Sequence, residues 1–127
     1  MRSTVLTITL INLAFFIFHE IEAIYRNEWK MLTILKNVSD PIKKRIYLYL
    51  HLPLPSILVG YVYSVFILCF YEFFILFNLF AVIHLFLHIY FLKKSVNVFS
   101  LKFSFIIMIG FALTGIVNLI LISHIIC

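Results

Sequence analysis

Four long apolar runs alternate with short polar linkers along the chain. The first extends from Thr4 to about Tyr25, the second from about Ile46 to Phe70, the third from Phe73 to Leu92, and the fourth from Phe103 to Cys127. Each is near the ~20 residues that an α-helix needs to cross a hydrocarbon core. No soluble domain is inserted between them, and no internal repeat is visible. The pattern predicts an all-α fold, an integral membrane four-helix bundle, with residues 1–127 as a single transmembrane domain.

The first run begins after Arg2, which also resembles the start of a signal peptide. His19 and Glu20 follow Phe18 where a small-residue cleavage site would be needed, so a retained helix is expected. Between the first two runs, Asn37 to Pro41 reads as a turn, with Ser39 or Asp40 able to cap a helix opened by Pro41. Pro53 and Pro55 interrupt the second run, placing His51 on a bent or interfacial segment. Trp29 stands where an interfacial aromatic anchor belongs, and Leu32, Ile34 and Leu35 are placed to dip into the headgroup layer.

Composition supports lipid as the solvent. Hydrophobic residues make up 65% of the 127 and charged residues 12%, against roughly 45–50% and about 25% in soluble domains. Fifteen Phe and seven Tyr would leave apolar patches on a small soluble fold far beyond what water tolerates. The net charge of +5 comes from residues lying between apolar runs, not from one basic face, which argues against a nucleic-acid partner. The lipid bilayer is the expected partner, with a helix-mediated oligomer or membrane partner also open. Cys69 and Cys127 have no paired or metal-like spacing.

Lys and Arg distribution orients the bundle. Six fall in Arg26 to Arg45 and three in Lys93 to Lys102, whereas the link around Glu72 has none. Loops 26–45 and 93–102 are therefore expected in the cytoplasm of a multi-pass cell-membrane protein, with both termini outside.

Ionisable groups inside spans are costly and mark candidate sites. His19 and Glu22 are three apart on one helical face, and His84 and His88 are four apart on another. An imidazole and a carboxylate one turn apart, or two imidazoles at i and i+4, can converge on one ion. At 1.5 Å per residue, His19 and Glu22 lie roughly 5–9 Å from the cytoplasmic end of their helix, and His84 and His88 roughly 6–12 Å from theirs. His51 fits the same layer. The competing reading is local: Glu22 pairs with Arg26 at i+4 and the histidines bond neighbouring helices. Asn12, Asn78 and Asn118 lie deeper, roughly 20 Å from the same ends, and suit hydrogen bonds between helices. Gly110 and Thr114 form a small-xxx-small step for close helix approach. Glu72 and His124 fall near the opposite boundary, where water reaches them.

The stretch His19-Glu20-Ile21-Glu22-Ala23-Ile24-Tyr25-Arg26-Asn27-Glu28-Trp29, with Leu50-His51-Leu52-Pro53 and His84 to His88, resembles small uncharacterised bacterial membrane proteins of the HXXEE-motif kind. Ala23 stands where the second glutamate of that motif would be. The resemblance implies a four-helix membrane protein, draws attention to His19 and Glu22, and implies no activity.

Three functions compete at this stage. One is a membrane-embedded metalloenzyme acting on an apolar substrate, with zinc or iron held by His19, Glu22, His51, His84 and His88, and Glu20 or Glu28 carrying protons. Another is a non-catalytic binding or regulatory subunit whose histidines form a packing or pH-responsive layer. The third is a haem-binding protein.

Overall fold

The structure is a computed structural model and describes residues 2–31, 35–66, 71–92 and 102–126. Helix α1 spans Arg2–Tyr25, free of Gly and Pro. It stops because Asn27 takes a left-handed backbone, φ 60°. Asn tolerates that region better than most residues. The Asn27 N–H bonds the Ile24 carbonyl at 3.2 Å, and its own carbonyl accepts the Lys30 N–H at 2.9 Å, closing a short 3₁₀ turn over Glu28–Met31.

Helix α2 spans Asp40–His51, with Pro41 in its first turn and Ser39 as an extended N-cap that makes no side-chain capping bond. The apolar pattern placed the start of this span at Ile46. The helix begins earlier because Pro41 presets a helical φ and loses no hydrogen bond in a first turn. Pro53 then divides α2 from α3, Leu54–Phe66, since it cannot donate to the helix behind it. The break is shallow: the Leu52 N–H reaches the Tyr49 carbonyl at 3.2 Å and the Ile57 N–H the Pro53 carbonyl at 3.1 Å. Helices α4, Tyr71–Leu92, and α5, Lys102–Ile126, complete the bundle.

Among the described residues, four stretches are long and apolar enough to cross a membrane: Ser3–Tyr25, Asp40–Ser64, Tyr71–Tyr90 and Phe103–His124. Their outward faces are bare hydrocarbon, with Phe18, Leu76, Phe86 and Ile106 all exposed. Such a surface suits lipid, and helices are the form that satisfies every backbone group there.

Helix α5 packs along α1 and α4, and α3 packs on α4 and α1. Gly115 sets the α4–α5 approach, because an added Cβ there would stand 3.1 Å from both the Ala81 Cβ and the Asn78 carbonyl. Gly110 serves a different neighbour. A Cβ on it would lie 2.6 Å from two ring carbons of Phe15 on α1.

At mid-span the four helices meet through one fully buried polar knot of Asn12, Tyr61, Asn78 and Asn118. Asn118 Nδ2 donates to Tyr61 Oη at 3.0 Å and to Asn78 Oδ1 at 3.1 Å. The Tyr61 hydroxyl stands 3.2 Å from Asn12 Oδ1 and 3.1 Å from Asn78 Oδ1. Asn12 Nδ2 donates to the Phe111 carbonyl and to Thr114 Oγ1, each at 2.8 Å. The three asparagines thus bond between helices as their depth suggested, with Tyr61 as the joint that depth alone did not reveal.

Above the knot lies an aromatic plug. Phe16 contacts Phe77 and Phe111 with ring centroids 5.5 and 5.1 Å apart, and Phe80 stands 6.4 Å from Phe111. It separates the polar knot from the histidine layer.

One expectation changes in detail. Trp29 is not a lipid-facing anchor: it is only 7% exposed, because the turn after Asn27 folds back on the ends of α1 and α2. Leu32, Ile34, Cys69 and Cys127 lie outside the described residues. Glu72 and His124 are both exposed.

Candidate metal centre

His19 projects from α1, and His84 and His88 project from successive turns of α4. The two helices hold these three rings against one another. His84 Nε2 lies 2.7 Å from His19 Nε2, and His88 Nε2 lies 3.0 Å from His84 Nε2. The rings meet edge to face, with centroids 4.6 to 5.1 Å apart. His19 and His88 are buried, at 1% and 4% exposure, and His84 is half-buried.

The fourth member comes from the turn. Glu28 follows Asn27, and the left-handed residue swings its carboxylate back over α4, where Oε1 reaches His88 Nε2 at 3.1 Å. Glu28 Oε2 accepts from the Tyr47 hydroxyl of α2 at 3.3 Å. One ligand atom from each of His19, Glu28, His84 and His88 lies within 4.8 Å of all the others. Burial pushes the Glu28 carboxyl up, but the His88 hydrogen bond and the charges of His19, His88 and His84 outweigh it. The balance holds Glu28 below the usual carboxylate range.

The Nε2 atoms of the three rings and the Glu28 carboxylate compete for few protons. An imidazole nitrogen offers one in-plane site, a lone pair or an N–H. If His88 Nε2 donates to Glu28, which as a carboxylate only accepts, it has no second proton for His84. His84 Nε2 likewise cannot serve both neighbours with one good hydrogen bond. Lone pairs that turn to one point are the arrangement that a shared cation completes. Around a tetrahedral ion with bonds of about 2.0–2.1 Å, ligand nitrogens stand about 3.3 Å apart. The three direct contacts, 2.7, 3.0 and 3.1 Å, are slightly shorter, and all four ligand atoms lie within 4.8 Å of one another, so loading would require small shifts of the rings.

The other sequence candidates go elsewhere. Glu22 shares a face with His19 along α1, but its carboxylate turns toward α5. There it accepts from Ser104 Oγ at 2.6 Å and pairs with Arg26 Nε at 3.4 Å. The i,i+4 partner and a fully buried serine hold it out of the histidine group. His51 sits at the end of α2 and pairs with Glu20, Nε2 to Oε2 3.3 Å. Its Nδ1 lies 2.6 Å from the Tyr47 carbonyl, and its ring packs at a 32° tilt on Tyr47 with centroids 4.0 Å apart.

Glu28 is the member that helical spacing could not place, since it lies beyond the end of α1. The signal for it was Asn27, a residue that readily turns left-handed just after a helix. Tyr47 had no signal beyond its i−4 relation to His51.

No curated protein and no solved structure matches the chain. Residues 5–125, nearly its whole length, match a family of unknown function, and the chain belongs to that family, DUF6713.

Proposed function

We propose that the chain is an integral membrane metalloprotein in which His19, His84, His88 and Glu28 hold a divalent cation that acts on an apolar substrate. The observation that carries the reading is the convergence of three imidazole Nε2 atoms, 2.7 and 3.0 Å apart in sequence, with a carboxylate 3.1 Å from the last. Glu28 takes the role first considered for Glu22. Nitrogen and carboxylate donors suit zinc or iron. A resident ion would act as a Lewis acid or lower the pKa of bound water.

The apolar substrate follows from access. A groove of ≈ 230 Å³ lined by Leu54, Ile57, Phe73, Leu76, Phe77 and Phe80 runs along the lipid side of α3 and α4. Phe80 at its end packs on His84, ring centroids 5.1 Å apart. The plug of Phe16, Phe77 and Phe111 argues against a conduit through the bundle. With the basic loops 26–45 and 93–102 in the cytoplasm of a cell-membrane protein and both termini outside, the centre lies toward the cytoplasmic leaflet. The stretch around His19 keeps its likeness to the HXXEE kind, although Ala23, in place of the second glutamate, is fully buried.

The 2.7 and 3.0 Å separations favour one shared ion over a haem held between two of these rings. Two axial nitrogens of one haem iron are about 4 Å apart, at about 2 Å each, with the macrocycle between them.

The test is elemental analysis of the protein purified in detergent and loaded with zinc or ferrous iron. The expected result is tightly held metal that His84→Ala removes and His124→Ala retains. Absence of metal at every loading refutes the reading and leaves a hydrogen-bonded packing layer.

A further inference from the structure

We propose a second metal position beside the first, held by His51 and Glu20 and joined to it through Glu28, so that the centre is dinuclear. This rests on His19, His84, His88 and Glu28 being ligands, as proposed above.

The orientation of His51 carries the inference. Its Nδ1 lies 2.6 Å from the Tyr47 carbonyl oxygen, an atom that only accepts, so the ring proton is on Nδ1. Nε2, the ring's other nitrogen, then points at Glu20 Oε2, 3.3 Å away. A cation that binds both atoms, a proton or a metal ion, fits between or beside them. The separation is also the edge of a tetrahedral site with bonds of about 2.0–2.1 Å, about 3.3 Å. An imidazole held by a backbone carbonyl through one nitrogen and free to coordinate through the other is the common arrangement of a metal-bound histidine.

Glu28 supplies the connection. Its Oε1 faces the three-histidine group through His88, and its Oε2 accepts from Tyr47, whose ring packs at a tilt against His51. Such a carboxylate, with one oxygen on the three-histidine group and the other on the tyrosine beside His51, is placed to bridge paired ions once Tyr47 yields its hydrogen bond. His19 and Glu20 are consecutive on α1, so one helix supports both positions. Four imidazoles and two carboxylates in one compartment also exceed what a single ion uses. Paired ions about 3.5–4 Å apart can stabilise both the attacking and the leaving oxygen of a displacement, chemistry a lone closed site does not offer.

The measurement is metal stoichiometry of the full chain in detergent, after loading with excess zinc and desalting. Two equivalents per chain are expected, falling to one in His51→Ala and in the near-isosteric Glu20→Gln, which preserves packing if the alanine variant unfolds. With manganese, the wild type should show the electron-spin coupling of adjacent ions and Glu20→Gln the spectrum of an isolated one. One equivalent in the wild type, unchanged by Glu20→Gln and lost in His84→Ala, overturns the second position and leaves the first. No metal in any variant overturns both.

Discussion

Replacing Tyr61 by Phe isolates the contribution of the mid-span polar knot, because the ring is kept and no cavity forms. Tyr61 is fully buried, and its hydroxyl meets Asn12 Oδ1, Asn78 Oδ1 and Asn118 Nδ2 at 3.2, 3.1 and 3.0 Å. One hydroxyl proton serves only one of the two oxygens, so the substitution removes two hydrogen bonds, one donated and one accepted. Asn118 Nδ2 keeps Asn78 Oδ1, and Asn12 Nδ2 keeps Phe111 and Thr114. Hydrogen bonds between membrane helices average about 0.6 kcal/mol and reach about 1.7. Two give an expected loss of about 1–3 kcal/mol. Equilibrium unfolding in mixed detergent measures it, with Tyr63→Phe on the exposed face of the same helix as the reference. If the two substitutions cost the same, the knot contributes no net stability and this accounting fails.

Gly110→Leu should destabilise the bundle by about 1–3 kcal/mol through overpacking, since even a Cβ meets the Phe15 ring at 2.6 Å. Ile120→Leu, at a residue 53% exposed, should be nearly neutral in the same unfolding assay. Asn27→Ala should cost about 1 kcal/mol at φ 60° and weaken metal retention by displacing Glu28, whereas Asn27→Gly should retain metal; equal metal content in both would separate Glu28 placement from the turn. A reporter fused after Cys127 should be active only outside the cytoplasm, and cytoplasmic activity there refutes the orientation.

The all-α membrane fold was legible because its signal is long and repeated: four apolar runs cannot hide in a small soluble domain. Depth along a helix was legible as well, since 1.5 Å per residue converts sequence directly into height. That is why Asn12, Asn78 and Asn118 could be set at one level. Azimuth was harder. His19 and Glu22 share a face, yet a shift of about 60° around α1 is enough to give one to α4 and the other to α5. Which neighbour lies on which side is a tertiary fact, and spacing within one helix does not contain it. Glu28 and Tyr47 were less accessible still, because one lies on a turn whose path depends on a single left-handed residue. The step expected at Gly110 and Thr114 illustrates the same limit: the small residue seats a ring, while Gly115 brings α5 against the α4 backbone.

The proposed ligands stand on two kinds of support, and that division bears on what an ion held here could do. His19, His84 and His88 stand on α1 and α4, which both pack along α5. Glu28 stands on the turn, and α2 leans chiefly on that same turn. The Tyr47–Glu28 and His51–Glu20 contacts tie α2 to the layer, and Pro53 breaks it from α3. Three imidazoles with a carboxylate close a tetrahedral zinc site and make it structural, whereas three imidazoles alone leave the fourth position open for water or substrate. In the proposed centre, Glu28 alone decides between these states. Its position is set by the turn at Asn27 and by contacts to Tyr47 on α2 and His88 on α4. A ligand placed on a turn, and covered by a helix with a proline break behind it, suits a site that must open more than one that only fastens helices together.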